Sequence, residues 1–254
     1  MKPRRLLEVK ALLVIALPLI FAYLADVLMV ITAKIVVGRL GAVELAAAGI
    51  STDLSYQMCI VLMGFFSVVG VLVSEALGAL RREAAVPEFV RGLILAGLLG
   101  LMATVVVLNL GHMLRFLGQD EEVIRISGPY YQGFAFAMLP IIWFGVLRSF
   151  VAALMRTGFV MGITVLTVAL NYVLMQGLVH GSFGLPQLGI AGAGVAWAIS
   201  MWFKCLSLAA YTFWLIRRQR LPLHEGSIGG PRALQPHLRL GVPVARAEGH
   251  AVPP

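Results

Sequence analysis

Charge is what this 254-residue chain has least of: Asp, Glu, Lys and Arg together make up 13% of it, about half the usual share of a soluble domain. That leaves too few polar side chains to clothe a water-facing surface. Cysteine is nearly missing too. Cys59 and Cys205 stand alone inside apolar stretches, with no second thiol or histidine at metal-ligand spacing, so their expected role is inert, buried packing. His112 and His180 fall near the ends of apolar stretches, with no metal or catalytic pattern around them. Paired carboxylates, a Ser/His couple, a glycine-rich phosphate loop and a histidine cluster are absent as well. No catalytic residue, metal site or cofactor is therefore expected, and an enzyme is disfavoured. The short alternating strands of a membrane barrel do not occur either.

What is present is apolar length. Hydrophobic residues make up 60% of the chain and the mean hydropathy is +0.92. Six apolar runs stand out, at 11–33, 44–73, 90–110, 133–154, 160–179 and 188–216, each close to or above the roughly 20 residues that cross a bilayer as a helix. A helix closes every backbone hydrogen bond internally, as lipid requires. The 27 glycines suit helices that pack closely in that medium. The fold class expected is an all-α integral membrane protein, a bundle of six transmembrane helices.

The net charge of +8 follows from topology and gives no reason to expect nucleic acid. With the N-terminus in the cytoplasm, the inner segments carry twelve basic residues: Lys2, Arg4, Arg5, Lys10, Arg81, Arg82, Arg91, Arg148, Arg156, Arg217, Arg218 and Arg220. The outer ones carry four: Lys34, Arg39, Arg115 and Arg125. Excess Lys and Arg mark the cytoplasmic side, so both termini are expected there. The opening MKPRRLLEVK and its apolar run resemble a signal peptide in outline. The run is too long and lacks a clean cleavage site, so a retained first helix is expected. The organisation is then a cytoplasmic N-terminus (1–10), a six-helix transmembrane lobe (11–216) and a proline-rich cytoplasmic tail (217–254) expected to be mobile. Between spans three and four, Asp120 is placed to cap a short interfacial helix with Glu121 and Glu122 in its first turn.

Ionisable groups at membrane depth cost about 2.5–3.5 kcal/mol each on insertion scales, so they are the candidates for function. Asp26, in the middle of span one, is the first: a site for a proton or cation. Lys204, inside span six, is a candidate cavity-lining residue; it needs a carboxylate partner or a route to water, and Asp26 is a candidate partner whose distance no sequence fixes. Asp53 and Gln57, one turn apart near the start of span two, are candidate cavity-lining residues. Lys34 is expected to snorkel to the interface, and Arg148 to anchor at the cytoplasmic one. Trp143, Trp197, Trp202 and Trp214 could stack organic cations, although interface belts and lipid contact are the commoner uses.

Four stretches, in this order, resemble the first half of a MATE (multidrug and toxic compound extrusion) transporter over about residues 12–220. They are ALPLIFAYLADVLMVITAKIVVGRLGAVELAAAGI, then SEALGALRRE, then LRFLGQDEEVIRISGPYY, and finally LRSFVAALMRTG with LNYVLMQGLVHGSFGLPQLGIAGAGVAWAIS. The resemblance implies one lobe of a two-lobed antiporter in a bacterial inner (plasma) membrane, exporting small organic cations or lipophilic drugs as Na⁺ or H⁺ enters. It also implies that Asn171 lines the lobe's cavity, with Thr167 one turn earlier standing where relatives carry another amide. The acid that relatives place just before the Gly-x-Leu-Gly loop aligns with Ala33, and Asp26 lies two turns deeper on nearly the same face. Glu75 replaces a usual glutamine, near Arg81 and Arg82. HLRLGVPVA, at 237–245, resembles the lead-in to a seventh helix, and a truncated gene product is one expectation. The alternatives are an inactive fragment missing its C-terminal lobe, a homodimer of half-transporters, and half of a lipid-linked sugar flippase of related fold.

Overall fold

The computed structural model describes the backbone of residues 2–78 and 82–219, and the side chains of 16–64, 66–76 and 85–219. Among the described residues seven α-helices follow one another: α1 (Lys2–Gly38), α2 (Ala42–Gly78), α3 (Arg82–Leu108), α4 (Leu110–Phe116), α5 (Glu121–Ala153), α6 (Gly158–His180) and α7 (Ile190–Arg218). All but α4 are long and apolar enough to cross a membrane. The six expected spans are therefore present, and the protein is an integral membrane helix bundle. The lead-in at 237–245 and most of the tail lie outside the described residues.

Apolar side chains cover both the inside and the outside of this bundle. On α1 the residues Leu17, Phe21, Leu24, Leu28, Ile31 and Ile35 recur at helical spacing and stay about half exposed, a lipid-facing stripe. The opposite α1 face buries Ala22, Met29, Ala33, Val36 and Val37. α5 is the axis of the bundle: 72% of its most apolar stretch is buried, against 28% for α1. It packs against α2, α3 and α7.

Small residues set how closely those helices approach. A Cβ added at Gly133 of α5 would lie 2.9 Å from the Gly194 backbone of α7, and one added at Gly194 would meet the Tyr130 carbonyl. The two backbones are thus in direct contact. Three buried hydroxyls inside the spans are satisfied locally: Thr164, Ser200 and Thr212 each donate to the carbonyl one turn earlier, at 2.7–2.8 Å.

The stretch entering the fourth span differs from expectation. Glu121 and Glu122 do lie in a first helical turn, but that turn opens α5 itself, which runs to Ala153 without a break. Asp120 precedes it with no side-chain cap. Pro129 lies inside the helix, and membrane helices tolerate proline because neighbours satisfy the freed carbonyl. The short helix is instead α4, one segment earlier. Arg115 at its end reaches Glu121 with two hydrogen bonds, 2.9 and 3.2 Å. These hold the Arg115 guanidinium above its usual range and brace the corner.

Candidate functional site

Lys204 projects from the middle of α7 into the bundle and is 3% exposed. Its Nζ lies 2.5 Å from Oδ1 of Asp26 on α1, itself 20% exposed. The question left open by the sequence is thereby answered: the deep cation and the deep anion meet. Phe144 of α5 closes the other side, its ring centre 4.3 Å from the ammonium, at cation–π distance. One turn further along α5, the Arg148 guanidinium sits 4.5 Å over the Tyr23 ring and 5.9 Å from Phe144. Arg148 is half-buried, and Tyr23, three residues before Asp26, offers it a π face. One carboxylate and two cations therefore share this corner of α1, α5 and α7.

A neutral polar network continues along the same face of α7. Asn171 of α6 donates from Nδ2 to Ser200 Oγ at 3.1 Å and to the Ala196 carbonyl at 3.4 Å. Its Oδ1 is buried with no partner among the described residues. Thr167, fully buried, donates to its own Ile163 carbonyl at 2.7 Å. Asn171 thus ties α6 to α7 and keeps one free acceptor, whereas Thr167 is spent on its own helix. Trp197 is 1% exposed and lies edge-on to Tyr56 and Phe134. It is a core residue, at neither an interface belt nor a lipid contact. Trp143 and Trp202 instead donate to the Leu93 and Phe136 carbonyls, and Trp214 stacks on Tyr211 with Arg218 over its ring.

Above this network lies a narrow crevice of about 10 Å³, room for about one water, walled by Ala33, Lys34, Thr52, Tyr130, Met175 and Trp197. Thr52 and Tyr130 share a 2.6 Å hydrogen bond across it, joining α2 to α5. Ala33, where the resemblance implies an acid, is on that wall and brings no charge to it. Asp53 and Gln57 lie on an exposed face of α2. The buried polar face of that helix is Ser51, Thr52 and Ser55, with the Ser51 and Ser55 hydroxyls unpartnered among the described residues. Lys34 does not simply snorkel: its Nζ reaches Asp53 at 3.4 Å. Glu75 is exposed; Arg81 lies outside the described residues, as does the side chain of Arg82. Among the described residues no three of His, Cys, Asp and Glu gather as a metal site. Ser200, Tyr130 and Thr52 were not singled out from sequence. The Ser200–Lys204 spacing of one turn was the signal that could have found the first.

The MatE family model matches residues 18–175. A probable multidrug resistance protein NorM from Pseudomonas putida is 34% identical over 238 residues, 93% of this chain and 52% of that protein. The counterpart from Rhizobium meliloti is 36% identical over 211 residues, 83% and 44% respectively. Among solved structures, a eukaryotic MATE transporter, AtDTX14, superposes with a TM-score of 0.82 at 22% identity, over 93% of this chain and 52% of that one. The outward-facing conformation of a multidrug resistance MATE family transporter gives 0.78 at 24% identity, over 91% and 51%. At these identities the structures speak for the fold. The chain spans about half the length of the curated relatives it matches, as a single lobe would. With its six spans folded as they fold in solved transporters and the family model matched over more than half its length, the chain belongs to the MatE family.

Proposed function

We propose that this chain is one lobe of a multidrug extruder that exports organic cations or lipophilic drugs by antiport with an inward-moving cation. The observation that carries the reading is the Asp26 carboxylate, held at membrane depth among α1, α5 and α7. A charge there is costly to keep and is the kind of group whose occupancy can differ between two transporter states. Coupling requires that ion and drug favour different states. Asn171, with its free Oδ1, is a second ligand on the same face; Thr167 supports that turn of α6. Asp53 and Gln57, exposed on one face of α2, are in this reading the polar wall of the drug cavity. The names of the NorM relatives support drug export. The basic residues support an inner-membrane placement with both termini in the cytoplasm.

That the chain spans half of its relatives supports a second reading of the active unit, in which this lobe works only against a second lobe, another chain or another copy of itself. Both readings are tested by expressing the chain in an efflux-deficient bacterium, alone and with a NorM C-terminal lobe, and following ethidium retention and oligomeric state. Efflux that needs the second lobe and disappears in Asp26→Asn is the expected result. Efflux that is unchanged in Asp26→Asn removes the carboxylate from the mechanism. Retention identical to vector in both arms removes the extruder.

A further inference from the structure

The Asp26 carboxylate already has a cation. Lys204 Nζ is 2.5 Å from Oδ1, the Phe144 ring closes over the ammonium at 4.3 Å, and Lys204 is 3% exposed. This is a fitted position, not a side chain resting in a gap. A second monovalent cation at the same carboxylate would leave net positive charge at membrane depth, where charge is costly. The surroundings raise that cost. From α5, Arg148 adds a second cation, its guanidinium 5.9 Å from the same Phe144 ring that Lys204 approaches. From α2, Tyr56, whose ring meets Trp197 edge-on, supplies a phenol, not a negative charge. From α1 itself, Tyr23 is covered by the Arg148 guanidinium. α6 has two titratable residues, of which Tyr172 points outward, 47% exposed, and His180 sits in the last turn. The corner thus holds two cations to one anion.

We propose that Lys204 is the resident cation of Asp26 and bars Na⁺ from it, so that this carboxylate accepts a metal ion only when residue 204 carries no charge. This rests on the reading of Asp26 as the coupling carboxylate, and it makes Lys204 the residue that sets ion specificity. A metal ion and the Lys204 ammonium are alternatives at one oxygen, and the tethered one is present at high effective concentration. It follows that any ion coupling of this lobe through Asp26 proceeds without Na⁺ at that carboxylate.

The test is binding, not transport, so it stands apart from the efflux experiment. The full chain, Lys204→Met, Lys204→Gln and Asp26→Asn/Lys204→Met are purified in NaCl and in choline chloride at equal ionic strength. Each is titrated with NaCl, with thermal unfolding and calorimetry as readouts. The wild type should show no Na⁺-specific shift. Lys204→Met or Lys204→Gln should bind Na⁺ at least tenfold more tightly than the wild type, and the double variant should lose that gain. A single variant that folds in Na⁺ but not in choline is the same result, since the metal has replaced the ammonium. Wild-type Na⁺ binding within threefold of the variants overturns the proposal. So does a charge-free variant that folds yet ignores Na⁺, and so does failure of both single variants to fold in either salt.

Discussion

Two lysine–aspartate pairs join α1 to a neighbouring helix, one buried and one open. Asp26 meets Lys204 of α7 at 2.5 Å with 20% and 3% exposure, whereas Lys34 meets Asp53 of α2 at 3.4 Å with 45% and 66%. The chemistry is identical, so the difference is surroundings. Exposed partners keep their solvation and give up side-chain freedom to meet, and such pairs are worth about 0–1 kcal/mol. Buried partners have already lost their solvation, so each depends on the other, and removing one strands a charge at a cost of about 3–5 kcal/mol. A buried pair therefore reports on fold integrity and site chemistry at once. An open pair reports on neither.

The largest expected effect follows from the buried pair. Asp26→Asn, which leaves Lys204 charged and unpartnered, should lower stability by about 3–5 kcal/mol, measured by unfolding in mixed micelles. Replacing both partners, as Asp26→Asn/Lys204→Met, should recover most of that loss, because no buried charge remains. A double variant as unstable as the single would show that packing against Phe144, not charge, makes the pair matter. Next comes a change that alters packing beside the site and no charge. Gly133→Ala puts a methyl group 2.9 Å from the Gly194 backbone and should cost about 1–3 kcal/mol by overpacking. A neutral result would mean that α5 and α7 can separate without penalty. Asn171→Ala removes the bond to Ser200 at 3.1 Å and should cost about 1 kcal/mol, since Ser200 keeps its own-helix acceptor. The smallest effect belongs to the open pair. Lys34→Ala should change stability by no more than about 0.5 kcal/mol, and a loss near that of Asp26→Asn would erase the distinction between the two pairs.

The helices were readable because lipid imposes a blunt rule: about 20 apolar residues, unbroken, per crossing. Composition alone satisfies it six times. The site was readable only in part. Asp26 and Lys204 stand out because each is an ionisable residue in an apolar run, but they are 178 residues apart, and nothing local says that α1 and α7 bring them together. The same holds for Thr52 with Tyr130, 78 residues apart. Trp197 was misplaced because tryptophan commonly sits at membrane interfaces. Burial of that ring depends on Tyr56 and Phe134 arriving from two other helices. The start of α5 misled for the opposite reason. Its acidic first turn is a local signal of a helix beginning, and local signals do not say how far the helix runs past Pro129.

The separation of Asp26 from Lys204 also has a meaning in time. A chain synthesised from its N-terminus at about 5–20 residues per second needs roughly 10–35 s to add the 178 residues that follow Asp26. Throughout that interval the first span is in or near the bilayer without its counter-ion. The last of the described helices to emerge is the one that carries it. Docking of α7 thus coincides with neutralisation of the Asp26 charge.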